Sequence, residues 1–343
     1  CLKLYANEVE VKTKAGVFDE ISVTSAEIID AEKGEVRVEA DITDYLPAKK
    51  SSALSVALNV RTGVSNYTTD FATVFNIDCL RGLFTVNDEG KQVHFSKGNL
   101  WYDKSPETDG EYWNFEANQF DFHTYPGKGS MLDGIFSKES GTPSDTYGLF
   151  GWGDAPDNGD AVRIDEISSD YKWPVSGDPW GAKIDDRGSW RTLTSEEWDY
   201  IHNSESRGAA RYAGANLEVK SRYATDTIQG VILFPDNDAT VSPDGNVTIS
   251  GVEIKHINKC YFYNHFTAEE WSRLEAAGAV FLTFSGYRID DSVYITEHLC
   301  YWSSTECDSY NAYYLNYHLF WINTQYTTCK FYGHSVRLVT DVE

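Results

Sequence analysis

The sequence predicts an α+β protein: a larger domain with two short helices, many strands and long loops, preceded by a small all-β, sandwich-like domain over residues 1–81. Three observations carry this. Residues 1 to about 80 hold β-branched or alternating runs separated by turn residues, with no convincing helical stretch. Two later segments each open on a helix-capping signature. Around them lie aromatic, Gly- and Asp-rich stretches of poor periodicity, interleaved with recognisable strands.

At 343 residues the chain has material for two domains. A content of 41% hydrophobic and 14% aromatic residues is that of a globular protein rather than a disordered one. The formal net charge of -24 argues against nucleic acid as a partner, since phosphate binding needs a basic footprint. It argues equally against adsorption to anionic lipid, and its plain reading is solubility. No run of apolar residues is long enough to span a bilayer as a helix.

In the first domain VEVKTKA, EISVTSAEII, GEVRVEADI and ALSVALNVR read as strands of a small module that spaces or anchors a surface protein. A soft boundary falls near 78–82. The larger domain, 82–343, begins with LFTVNDEGKQVHFSKGNLWY, in which Asn87-Asp88-Glu89-Gly90 supplies a hairpin turn. YWNFEANQFDFH, TYGLFGWGDAPDNGDA and YKWPVSGDPWGA then read as loops held by buried Trp and Tyr. Thr194-Ser195-Glu196-Glu197 and Thr267-Ala268-Glu269-Glu270 are capping boxes, in which the Thr hydroxyl accepts from the third helical amide and the Glu reaches back to the cap. Gly278 stands where the second helix should end. Trp198 and Trp271 read as core anchors. AVFLTFSGYR, VYITEHLCYWSST and HSVRLVTDVE complete the domain as strands.

Residues 309–336, SYNAYYLNYHLFWINTQYTTCKFYGHSV, are the main functional clue. They contain one formal charge, Lys330, in a chain that is 24% charged. A core strand would be rich in Val, Ile and Leu, and a solvated loop in Asp, Glu, Lys, Gly and Pro. Tyr and Trp mixed with Asn, Thr and Ser instead suit a binding surface, giving large contact area at low entropic cost and adaptable hydrogen bonds.

The chain begins with Cys1, which reads either as the acylated first residue of a mature bacterial lipoprotein or as a boundary without meaning; the lipoprotein reading is preferred. Cys79, Cys260, Cys300, Cys307 and Cys329 form no CxxC pair and show no zinc spacing with His, so no metal site is expected. A Cys300–Cys307 or Cys307–Cys329 bridge stays open, with free thiols as the default. Asp154, Asp157, Asp160 and Asp165 offer oxygen ligands that calcium would accept, but a solvated acidic loop is the preferred reading and no cofactor is expected. His123, His202, His256, His265 and His298 are scattered without ligand spacing. No GxSxG, HExxH or P-loop pattern occurs, and catalysis is not expected.

Taken in order, VHFSKGNLWY, NFEANQFD, FGWG, SWRTLTSEEW, FTAEEWSRLEAAGAVFLTFSGYR, YWSST and GHSVRLV resemble the C-type-lectin-fold proteins of gut bacteria and their phages. The resemblance is to the variable proteins diversified by retroelements in particular, and more distantly to the formylglycine-generating-enzyme fold. It covers roughly 82–343 and implies a C-type-lectin-like domain with a variable segment at about 307–334. In such proteins adenine-directed rewriting of Asn codons of the AAC type never yields Glu, Gln, Lys, Met or Trp. Between Cys307 and His334 only Trp321, Gln325 and Lys330 fall outside the reachable set.

The resemblance assigns Tyr310, Tyr314, Tyr317, His318, Leu319, Phe320, Trp321, Asn323, Tyr326, Thr328, Phe331, Tyr332 and His334 to the ligand-binding surface. It makes Ala312, Leu315, Val336 and Leu338 core-facing scaffold. The implied function is a receptor- or adhesin-like protein at the cell surface or outer membrane, attached to membrane only through a lipid at Cys1. Its ligand would be a protein or glycan on another cell or phage. The alternative is a structural or adhesive subunit of a pilus or surface assembly, whose aromatic segment is buried against its own domain or a neighbour. A third reading, an oxidase of the formylglycine-generating type with a copper-binding thiol pair, is least favoured.

Overall fold

In the computed structural model the chain divides into two compact units, Cys1–Asp78 and Cys79–Glu343. In the first unit the structure describes the backbone of residues 2–6, 9–10, 23–30, 35–40, 54–62 and 65–75, together with Asp78. In the second it describes 79–342 apart from 108–109, 125–130, 133–144, 158–159, 161–179, 185–189, 203–210, 221–226, 237–239, 242–245, 260, 291, 296–297 and 319–320.

Within the first unit Leu2–Ala6, Val9–Glu10, Leu54–Thr62 and Ser65–Phe75 form an antiparallel sheet with the Leu2–Ala6 and Leu54–Thr62 strands at its centre. Val23–Asp30 and Glu35–Ala40 form a separate hairpin. Val9–Glu10, Val23–Asp30, Glu35–Ala40 and Leu54–Thr62 overlap the runs read as strands, whereas Leu2–Ala6 and Ser65–Phe75 lie outside those runs.

The second unit corrects the α+β expectation. Twenty-six strands and three helices occur among the described residues of the whole chain, and the helices are short. They are Gly181–Ile184, Ser195–His202 and Ala268–Ala276. The architecture is therefore mostly β. The two capping boxes mark real helix starts: Thr194 Oγ1 accepts from Glu197 N at 3.1 Å and Thr267 Oγ1 from Glu270 N at 3.2 Å. Each helix then stops within about two turns. The extra strand comes from pieces such as Trp113–Phe115, Thr146–Tyr147, Trp190–Thr192, Val247–Ile249 and Val252–Ile254. Two or three residues are too few to show a period of two, so these stretches read as loops in sequence.

Among the described residues three large clusters form most of the core, beside a small fourth of Phe122, Leu149, Val293 and Ile295. In the first, Phe84, Phe95, Trp198, Leu299, Tyr301, Leu315, Tyr317 and Val339 pack around the Ser195–His202 helix. The second fills the sheet of Asn264–Thr267, Tyr212–Glu218, Ile228–Leu233 and Val280–Thr283, over which Trp271 and Leu274 lie. The third gathers Trp113, Trp152, Trp180, Trp190, Trp302, Tyr314 and Val336. The expected hairpin also forms: Phe84–Thr85 pairs with Gln92–Phe95, and Gly90 takes a φ of 82° in the turn.

Arg191 ties the Ser195–His202 helix to the C-terminal strand. Its guanidinium grips Glu197 of the helix through two hydrogen bonds of 2.6 and 2.8 Å and also donates to Asp341 near the C-terminus. These bonds to anions outweigh the cost of burying it and raise its pKa further.

Gly278 follows the Ala268–Ala276 helix at a φ of 93°, and a Cβ there would stand 2.3 Å from the Gly82 amide nitrogen. Thr267→Ala should therefore cost about 1 kcal/mol. Gly278→Ala should cost more, because it combines left-handed strain with a backbone clash. Urea unfolding of both variants checks the ranking; equal midpoints would contradict the tight Gly82–Gly278 approach.

Candidate binding surface

The C-terminal third builds a three-stranded antiparallel meander, His298–Glu306, Asn311–His318 and Trp321–Cys329. Alternation along its first two strands sends Leu299, Tyr301, Leu315 and Tyr317 into one core cluster. It sends Cys300, Trp302, Ala312 and Tyr314 into another. The central strand is thus covered on both faces. Trp321–Cys329 forms the edge of the meander and is mostly exposed or half-buried.

Among the predicted surface residues, Tyr310, Trp321 and Tyr326 are exposed, by 78%, 40% and 43%. His318, Asn323, Thr328, Phe331 and Tyr332 are half-buried. Three are not on the surface: Tyr314, Tyr317 and His334 are buried, because the first two lie on the doubly covered central strand and His334 sits beneath it. Leu319 and Phe320 lie outside the described residues, as does Cys1. Ala312, Leu315, Val336 and Leu338 are fully buried.

The buried and exposed aromatic residues are continuous. His334 stacks on Tyr314 at 4.4 Å and lies 4.4 Å from Trp302. Tyr314 meets Tyr326 edge-on at 5.6 Å, and Tyr326 is 5.8 Å from Trp321. Trp321 stacks on His318, its cross-strand partner, which in turn faces His298 at 4.8 Å. Asn316 donates to the Tyr314 hydroxyl at 2.9 Å and fixes that ring. The outer rings are therefore seated on buried inner ones, an arrangement that lowers the ordering cost of binding.

Sequence reasoning missed three parts of this face. Tyr287 and Tyr294 stack at 5.2 Å, and Tyr287 lies 6.0 Å from His298. All three are half-buried. His298 was read only for metal-ligand spacing, and its place opposite His318 depends on strand register. Tyr287 and Tyr294 lie far from the 309–336 segment in sequence, and no local signal connects them to it.

The base of the meander is held by hydrogen bonds between segments. Phe150 and His334 exchange backbone hydrogen bonds of 3.0 Å each way. The Trp302 indole donates to Phe150 O at 2.6 Å, and the Trp152 indole donates to Ser303 O at 2.8 Å. Lys330, the one formal charge of the segment, is buried: its ammonium pairs with Glu306 and lies 4.8 Å from the Trp152 ring centre. Gly333 passes so close to Arg288 that a Cβ would stand 2.7 Å from its Nε. At the hairpin tip Asp308 accepts from the backbone N–H groups of Tyr310 and Asn311, at 2.7 and 2.8 Å, below the projecting Tyr310. The Asn311 amide and these N–H groups hold its carboxyl below the usual carboxylate range.

Cys79, Cys300, Cys307 and Cys329 are thiols outside any disulfide. Burial pushes Cys300 far above the ordinary thiol range, so it stays protonated. Among the described residues no group of three or more His, Cys, Asp and Glu side chains gathers as metal ligands would. Asp157 is engaged by Lys183 at 2.5 Å, Asp154 is buried, and Asp165 lies outside the described residues. The exposed and half-buried side chains of this face offer ring stacking, with amide and hydroxyl hydrogen bonds around it.

No family model matches the chain, and neither a curated protein nor a solved structure is significantly similar to it. Among the described residues no helix is long and apolar enough to cross a membrane.

Burial pushes the His334 imidazole down from 6.5 to about 3, so the native state holds it neutral. The unfolded chain protonates this histidine as pH falls through about 6.5, and from there down to about 3 it binds the extra proton. The contribution of His334 to stability is therefore level above pH 6.5 and declines below it, by at most about 1.4 kcal/mol per pH unit. Stability measured from pH 7 to pH 4 should fall more steeply in the wild type than in His334→Phe. Parallel curves would mean that His334 is not buried neutral.

Proposed function

We propose that this chain is a ligand-binding protein of receptor or adhesin type, whose meander edge presents a rigid aromatic face to a protein or glycan on another cell or phage. The observation that carries the reading is the unbroken run of rings from buried Trp302, His334 and Tyr314 out to exposed Tyr326 and Trp321. Such an arrangement combines solvent-facing anchors with a buried, packed foundation. On this reading the protein is not an enzyme, acts at the cell surface, and belongs with the retroelement-diversified variable proteins that its motifs resemble.

The position of the codon-excluded residues bears on diversification. Lys330 is buried in an ion pair under the hairpin, where a fixed residue is expected. Trp321 and Gln325 are exposed on the edge strand, so in the proposed scheme they are constant contacts among varied neighbours. The alternative, a structural subunit with its aromatic segment packed away, draws support from buried Tyr314, Tyr317 and His334. It leaves exposed Tyr310, Trp321 and Tyr326 without a role unless a neighbouring subunit covers them.

Trp321→Ala and Tyr326→Ala should each weaken capture of the ligand by roughly tenfold or more while changing stability by less than about 1 kcal/mol. Tyr317→Ala, by contrast, should cost about 3–5 kcal/mol of stability. Unfolding curves, together with binding to whole target cells, separate the two classes; a large stability loss in Trp321→Ala would place that ring in the core. The coding DNA provides a second check. A near-copy of the 3′ coding end, differing at adenines and adjacent to a reverse transcriptase gene, is the expected arrangement, and its absence would remove the diversification proposal.

A further inference from the structure

His298 and His318 face each other across the first two strands of the meander. They are distant in sequence, and strand register alone makes them neighbours. Residues directly opposite on an antiparallel pair have Cβ atoms about 4.5–5.5 Å apart. The two imidazole ring centres lie 4.8 Å apart, with their planes tilted by 50°. Both rings are half-buried, at the end of the sheet where Trp321 is exposed.

That spacing matches the one a shared metal ion imposes. An imidazole nitrogen ligates an ion such as zinc at about 2.0–2.1 Å, which puts the ring centre about 3.2 Å from the ion. With ligand angles of about 90–110°, two such ring centres stand about 4.5–5.2 Å apart. The observed 4.8 Å falls inside this interval. The tautomer of His298 fits as well. Its Nδ1 lies 3.5 Å from Asn316 Oδ1, while the Asn316 amide nitrogen donates to the Tyr314 hydroxyl. A carbonyl oxygen only accepts, so Nδ1 carries the proton and Nε2 keeps the lone pair. Histidines that bind metal commonly donate their other ring N–H in this way.

Donor type decides which ion would sit there. Two neutral imidazoles offer nitrogen and no carboxylate, a set that suits late first-row ions and not calcium or magnesium. Burial raises the Tyr287 phenol and keeps it protonated, so that ring, 6.0 Å from His298, adds no phenolate ligand. The net charge of -24 draws cations to the chain. We propose that His298 and His318 form a cross-strand chelate for a late first-row divalent ion, held most tightly as Cu2+ and less so as Ni2+ or Zn2+. Two protein ligands leave the remaining positions to water or to donor groups of an incoming molecule. The ion ties the first strand of the meander to the second beside Trp321, which stacks on His318 at 5.9 Å.

Titration of the full, untagged chain with Ni2+ tests this. Ni2+ is the probe because it does not oxidise the exposed Cys307 thiol as Cu2+ would. Ni2+ should quench tryptophan fluorescence with saturation below about 1 mM and raise the unfolding midpoint, whereas Ca2+ should do neither. His298→Gln and His318→Gln should each weaken Ni2+ binding at least roughly tenfold, with the metal-free unfolding midpoint unchanged. His265→Gln, at an exposed histidine outside the meander, should bind as the wild type does. If one substitution of the pair disturbs the sheet, the other carries the test from the opposite strand. The proposal is overturned by no saturable Ni2+ response, by full affinity in either His298→Gln or His318→Gln, by an equal response to Ca2+, or by a loss that follows His265→Gln.

Discussion

The meander depends on a reciprocal clamp between Phe150-Gly151-Trp152 and Trp302-Ser303. Each stretch donates an indole N–H to a backbone carbonyl of the other. The same stretches bind the chain that follows the edge strand: Phe150 pairs with His334, Trp152 N donates to Lys330 O, and Trp302 N donates to Ser335 O. Three pieces remote in sequence thus satisfy one another's polar groups in a buried site. Loss of one partner would strand a donor or acceptor away from water, at a cost of about 1–3 kcal/mol for each. Lys330 reinforces the clamp, since its burial is supported by the Glu306 carboxylate and the Trp152 ring.

From this clamp outward the meander runs from rigid to tolerant. Its central strand is packed on both faces, so a change of side chain there alters core volume. The edge strand has exposed positions at Trp321, Gln325, Tyr326 and Thr327, where substitution removes contact with solvent and neighbouring rings rather than core packing. The tip at Tyr310 is held by the backbone hydrogen bonds of Asp308, independently of the tyrosine ring. One short sheet therefore contains both a fixed foundation and a face that can differ without unfolding it.

Local signals with a complete chemical signature were legible. Both capping boxes, the Gly278 helix stop and the Asn87–Gly90 turn depend on side chains within a few residues of one another, and each stands where the sequence places it. Trp198 and Trp271, carried on those helices, are buried. The α+β class failed because caps announce that a helix starts and say little of how far it runs. Strands of two or three residues, such as Thr146–Tyr147 and Trp190–Thr192, are defined by their partners across the sheet. Lys330 shows the same limit at the site: in sequence it is a single charge in a polar stretch, and only Glu306 and Trp152 make it a buried staple.

By itself the sequence determined where the unusual chemistry lies: an almost uncharged, aromatic and amide-rich stretch near the C-terminus of an acidic chain, with Ala312, Leu315 and Val336 among its apolar positions. Only the tertiary structure decided which of its aromatic rings face solvent. Tyr314, Tyr317, Trp321 and Tyr326 belong to one compositional class, and what separates them is the strand each occupies. A central strand has a neighbour on either side and layers above and below, whereas an edge strand lacks one neighbour. That difference arises from long-range pairing and packing, which composition cannot express.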